Sequence, residues 1–79
     1  MERIITYDLH HKDTSDYEDL YEVFKTLNSK QLTESSYVIN TSLKQKEIIE
    51  MIQKVIYSDD KVYYISVDGE TGKIFYTKI

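Results

Sequence analysis

Residues 3–9, RIITYDL, form a β-branched and aromatic run bounded by polar residues, which predicts a largely covered strand at the centre of a sheet. The period then changes. Tyr17, Leu20, Tyr21, Phe24 and Leu27 recur at helical spacing, so a helix is expected over about 16–27, with Ser15 and Glu18 placed as a capping box. NSK breaks that helix, and QLTESSYVINT reads as a hairpin: a short polar strand, a turn near Ser35, and an apolar strand over Tyr37–Asn40. From Ser42 to about Tyr57, Leu43, Ile48, Ile49, Ile52, Val55 and Ile56 lie on one side of a second helix. Lys44, Lys46, Glu47, Glu50, Gln53 and Lys54 lie on the other. YSDDK is a polar turn, VYYISV a strand, DGETG a glycine-bearing turn, and KIFYTKI a last strand.

The order β-α-β-β-α-β-β, with a helix after the first and third strands, predicts an α+β domain. The expected form is a ferredoxin-like β-α-β-β-α-β sandwich with an extra C-terminal strand. Two helices on one face leave the other face of such a sheet uncovered, so face-to-face or edge-to-edge homodimerisation is expected. Tyr63, Tyr64, Phe75 and Tyr76 are the residues assigned to that seam, and the final strand, 73–79, is a candidate to pair with the partner's sheet.

Length supports the expectation of a partner. A 79-residue chain is one domain, and at that size only roughly 60–65% of the unfolded surface is buried. No proline occurs, and Gly69 and Gly72 are the only glycines, so no linker or low-complexity segment interrupts the domain. Without cysteine there is no disulfide frame, thiolate zinc site or cysteine nucleophile. The start, MERIITYDL, is too short and too polar for a signal peptide or a membrane span, so a cytoplasmic location and no membrane partner are expected.

Charge narrows the function classes. Ten basic residues stand against fourteen acidic ones, for a net charge of −4. The imbalance lies in residues 1–40, where Glu2, Asp8, Asp13, Asp16, Glu18, Asp19, Glu22 and Glu34 face Arg3, Lys12, Lys25 and Lys30. With a single arginine and no basic run, the chain is a poor candidate for holding phosphate backbones, and nucleic acid is not the expected partner. Asp13, Asp16, Glu18, Asp19 and Glu22 gather at the start of the first helix, where negative charge meets the helix dipole favourably. The same compact acidic surface is suited to dock a basic groove on a protein partner.

Asp8, His10, His11 and Asp13 in YDLHHKD carry ligand chemistry. Magnesium takes hard oxygen ligands, and two Asp8 side chains across a dimer axis would supply them. The structural alternative is that Asp8 accepts hydrogen bonds from loop N–H groups as the strand ends. His10 is a candidate proton carrier, but adjacent histidines in extended backbone point to opposite sides and do not share one ion.

ITYDL, YEDLYEVFKTL and LTESSYVINTSLKQKEI, together covering roughly residues 3–57, resemble the SinR-like small proteins. Those are grouped with the CRISPR-associated Cas-two proteins and virulence-associated protein D. The resemblance implies a homodimer in which Asp8 occupies the position of a strand-end aspartate that faces its symmetry mate. In some members that pair holds a divalent metal for RNA or DNA cleavage. The loop HHKDTSD lacks the Pro-Gly of the SinR-like pattern, and Tyr37 stands where that pattern has tryptophan.

Three readings follow. The first is a small acidic homodimeric binding or inhibitory module without cofactor, of a kind suited to a phage or mobile-element protein that blocks a nucleic-acid-handling defence complex. The second is a metal-dependent endoribonuclease using paired Asp8, with Mg²⁺ or Mn²⁺ as cofactor and His10 moving a proton. A nucleic-acid-binding structural subunit is a third, which the net charge disfavours.

Overall fold

The computed structural model describes residues 2–11 and 13–79. Among the described residues, five strands and two α-helices follow one another as β1 (Glu2–Asp8), α1 (Glu18–Thr26), β2 (Ser29–Thr33), β3 (Ser36–Ile39), α2 (Gln45–Gln53), β4 (Lys61–Val67) and β5 (Ile74–Lys78). The domain is α+β. Its single sheet has the order β2-β3-β1-β4-β5, and every neighbouring pair is antiparallel. β1 is central, as its covered composition requires. Both helices are shorter than the periodicity implies, because 14–17 form a 3-10 turn ahead of α1 and residues 41–44 stay outside α2, with Lys44 extended as its N-cap.

Register assigns each side chain to a face. Ile5 pairs with Tyr37 on one side and Tyr64 on the other, so Tyr37, Ile5 and Tyr64 share a face with Ile39 and Val62. Against this face α1 sets Leu20 and Phe24, and α2 sets Ile48 and Ile52, to give one buried cluster that Tyr17 and Leu27 complete. Tyr7, Phe24 and Tyr37 stack in series, with ring centroids 5.9 Å and 4.2 Å apart. Burial among these rings raises the Tyr7 phenol well above its ordinary range. Its hydroxyl donates to the Glu34 carbonyl at 3.0 Å.

The opposite face carries Ile4, Val38, Tyr63, Ile65, Val67, Ile74 and Tyr76 in the same register. Neither helix reaches it, and Ile74 and Tyr76 are 65% and 73% exposed. Of the four residues assigned from sequence to a seam, Tyr63 and Tyr76 therefore lie on this open face. Tyr64 lies in the core at 3% exposure, and Phe75 lies on the helix side but beyond the helices, exposed. Sequence alone missed that alternation because VYYISV is apolar on both faces, so the pattern does not say which tyrosine points in.

Connections follow from local chemistry. Asn28 ends α1 in the left-handed region, at φ 51°, and turns the chain straight into β2, with the Ser29 hydroxyl donating to the Phe24 carbonyl at 2.6 Å. Arg3, on the helix side of β1, donates to the carbonyls of Thr41 and Leu43 and so holds the β3–α2 connection against the sheet. The β4–β5 turn closes around Asp68, whose carboxylate accepts from the Glu70 N–H at 2.9 Å, while Gly72 takes φ 72°.

Candidate functional site: the acidic pole

Three segments converge where β1 ends: residues 9–11, the approach to α1, and the α2–β4 connection. The residue that ties them is Asp60, at 4% exposure. Its Oδ1 accepts from the His10 N–H at 2.7 Å and from the Tyr17 hydroxyl at 2.6 Å, and its Oδ2 accepts from the Tyr57 N–H at 2.8 Å. The Tyr17 hydroxyl in turn accepts from the His11 N–H at 3.0 Å. Burial opposes the charge on Asp60, but the bonds from Tyr17, His10 and Tyr57 outweigh it and hold the carboxyl below the usual carboxylate range. Burial, and then the bond to Asp60, push the Tyr17 phenol up to about 12.

The loop N–H groups expected to cap onto Asp8 are thus served by Asp60 and Tyr17. Asp8 itself is exposed, on the open-face side of β1 and directly across from Lys61. It lines a shallow depression with Leu9, His10, Asp59 and Lys61. His10 meets Asp59 (Nε2 to Oδ2, 3.2 Å), and His11 meets Asp16 (Nδ1 to Oδ2, 3.9 Å). The imidazoles lie edge to face with centroids 5.2 Å apart, and His11 also packs on Tyr57 at 4.3 Å. Each histidine therefore faces a different carboxylate, in keeping with their alternation along the backbone.

The acids of the α1 approach divide by role. Asp13 caps the 3-10 turn by accepting from the Ser15 N–H at 3.0 Å, a bond that holds its carboxyl below the ordinary range. The capping box expected of Ser15 and Glu18 does not form, because the cap falls two residues earlier and Tyr17 occupies the N-cap position of α1. Glu18 and Asp19 are exposed in the first turn of α1, and Glu22 pairs with Lys25 at 3.3 Å on the solvent side. Folding adds Asp59, from a segment more than forty residues away, to the same end of the molecule.

Chemically, this pole offers carboxylates in number but not in convergence. Among the described residues, no three potential ligands come together around one point. For Asp8 to share an ion with a second carboxylate of its kind, the other must come from another copy of the chain. Asp60 and Asp59 are the residues that sequence reading passed over. The available signal was an adjacent acid pair directly before a strongly apolar strand, where one of the two side chains must turn inward. No helix among the described residues is long and apolar enough to cross a membrane. No family model, curated protein or solved structure matches the chain.

Proposed function

We propose that this chain is a ferredoxin-like binding module that works as a homodimer and uses its acidic pole to occupy a basic groove on a protein partner, blocking that partner. The strand order supports the ferredoxin-like reading. β1 lies between β3 and β4, each crossover helix skips one strand, and β5 adds to the β4 side. The observation that carries the functional reading is the gathering of Asp8, Asp13, Asp16, Glu18, Asp19 and Asp59 as exposed carboxylates at one end of the fold. The sole arginine is meanwhile spent on the Thr41 and Leu43 carbonyls. A surface of this sign steers a basic partner in and rejects phosphate backbones. A phage or mobile-element inhibitor of a nucleic-acid-handling complex would have such a surface.

The nuclease reading keeps one observation in its favour: Asp8 is exposed at the strand end, on the side open to a facing copy. Mg²⁺ or Mn²⁺ held there would polarise a phosphodiester oxygen and activate a water.

One experiment separates the two. Wild type and the Asp16→Lys/Asp19→Lys/Glu22→Lys variant are immobilised and exposed to an extract supplemented with nucleic-acid-handling complexes. Labelled RNA and DNA are incubated with each protein and with Asp8→Asn in Mg²⁺ and Mn²⁺. Retention of a basic partner by wild type alone, with both proteins equally folded by circular dichroism, is the expected result. Equal retention by the charge-reversed variant refutes the acidic-pole reading, and cleavage that is lost in Asp8→Asn replaces it with the nuclease.

A further inference from the structure

The open face of the sheet has a charge layout that specifies how a second copy would sit on it. By register, its charged members are Glu2 and Asp8 at the two ends of the central strand, Lys61 beside Asp8, Lys30 on β2 at one lateral edge, and Lys78 on β5 at the other. Between them run Ile4, Val38, Tyr63, Ile65, Val67 and Tyr76. The acids thus mark the ends of one axis, with Lys61 beside Asp8 at one of them, and Lys30 and Lys78 mark the ends of the other. The two axes are nearly equal in length. Four strand spacings from β2 to β5 give about 19 Å, and Glu2 to Asp8 gives about 20 Å.

A square patch with like charges at opposite corners of a cross has definite self-complementarity. If two copies pack with strands aligned, a two-fold axis along or across the strands brings acid over acid and lysine over lysine. Like charges across an interface oppose association. If the strands cross near a right angle, the two-fold brings each acid over a lysine. Of the two crossed arrangements, one sets Glu2 over Lys78 of the second copy, places Asp8 with its neighbour Lys61 over Lys30, and keeps Lys61 clear of its own mate and of Lys78. The other crowds these lysines together. We infer that the chain forms a homodimer through the open sheet face in this crossed arrangement, with Glu2 on Lys78 as its complementary contact and the Asp8–Lys61 pair over Lys30. Orthogonal packing is an established mode for stacked sheets, at a spacing of about 10 Å.

The inference rests on the homodimer reading above and adds a consequence for the site. In the crossed arrangement the two Asp8 carboxylates are on the order of 15–20 Å apart, from the strand and sheet spacings. They do not share an ion.

The absence of cysteine makes the test clean. Glu2→Cys/Lys78→Cys is oxidised beside Asp8→Cys, while wild type, Glu2→Lys and Glu2→Lys/Lys78→Glu are compared by sedimentation from micromolar to millimolar concentration. The expected result is a wild-type dimer, an interchain disulfide in Glu2→Cys/Lys78→Cys, and none in Asp8→Cys. Glu2→Lys should weaken association about fivefold, since two surface ion pairs are inverted in each dimer, and Lys78→Glu should restore it. A disulfide through Asp8→Cys, or tighter association of Glu2→Lys, shows aligned packing and overturns the crossed arrangement while leaving a dimer. A wild type monomeric throughout overturns the homodimer reading itself.

Discussion

Asp60→Asn tests the physical account of the pole most directly. The wild-type carboxylate accepts three hydrogen bonds of 2.6–2.8 Å in a nearly sealed position. Asparagine keeps the shape. If its amide oxygen stays with Tyr17 and His10, its NH₂ is turned toward the Tyr57 N–H, donor against donor. Two charge-assisted bonds become neutral and one is lost, each step worth about 1 kcal/mol, so a loss of about 2–3 kcal/mol is expected. For a chain of 79 residues the whole folding free energy is about 4–12 kcal/mol, so the variant gives up a large share of it.

The assay is equilibrium urea unfolding at one fixed protein concentration, since self-association would shift the midpoint. The pH dependence adds a second readout. Because the folded carboxyl titrates below its unfolded value of about 3.9, the unfolded state binds more protons in the interval between the two. The contribution of Asp60 is present above pH ~4 and is lost as pH falls through the folded value. Asp60→Asn lacks that acid limb. Stability within about 0.5 kcal/mol of wild type, a shift ordinary for a surface substitution, or an unchanged acid limb, would refute the role assigned to Asp60.

Two smaller perturbations test the frame around the pole. Arg3→Met keeps the apolar stem on the helix side of β1 but leaves the Thr41 and Leu43 carbonyls without their donor; a loss of about 1–2 kcal/mol is expected in the same urea assay, with faster amide exchange at 41–45. Gly72→Ala meets no atom within 4 Å, so its cost is backbone strain at φ 72° alone, and a loss of about 1 kcal/mol without change in the unfolding slope is expected.

Much of the architecture could be read from the chain because the period of its apolar residues changes cleanly. Tyr17, Leu20, Phe24 and Leu27 are spaced for a helix and are all core residues, as are Ile48 and Ile52. The ends of elements were less readable. The cap of the 3-10 turn ahead of α1 depends on which of Asp13, Ser15 and Asp16 turns its side chain back to the backbone, and all three have the chemistry to do so. Inward and outward positions were unreadable where both faces are apolar, which is why Tyr64 looked like a seam residue and is a core one. Asp60 escaped for a different reason. Its partners are Tyr17, which the helical period accounts for as a core side chain, and the N–H groups of His10 and Tyr57, which carry no sequence signal.

Asp60 also explains how a small chain can hold many carboxylates at one end without forfeiting its fold. The one acid that is buried has its charge met by three donors inside the protein. The exposed acids divide among a cap at Asp13, the first turn of α1 at Glu18 and Asp19, and two histidines at Asp16 and Asp59. Pairs that open to water contribute little to stability, so the same carboxylates can exchange histidine for a basic partner at small cost. Asp8 lies at the junction of this pole with the open sheet face. A second copy that set Lys30 on Asp8 would draw that residue into the dimer and leave α1 and Asp59 as the surface for a partner. An aligned dimer would bring the Asp8 carboxylates of the two copies closer together. In a dimer formed through the open face, the orientation of the two sheets would therefore decide which chemistry this end of the molecule can perform.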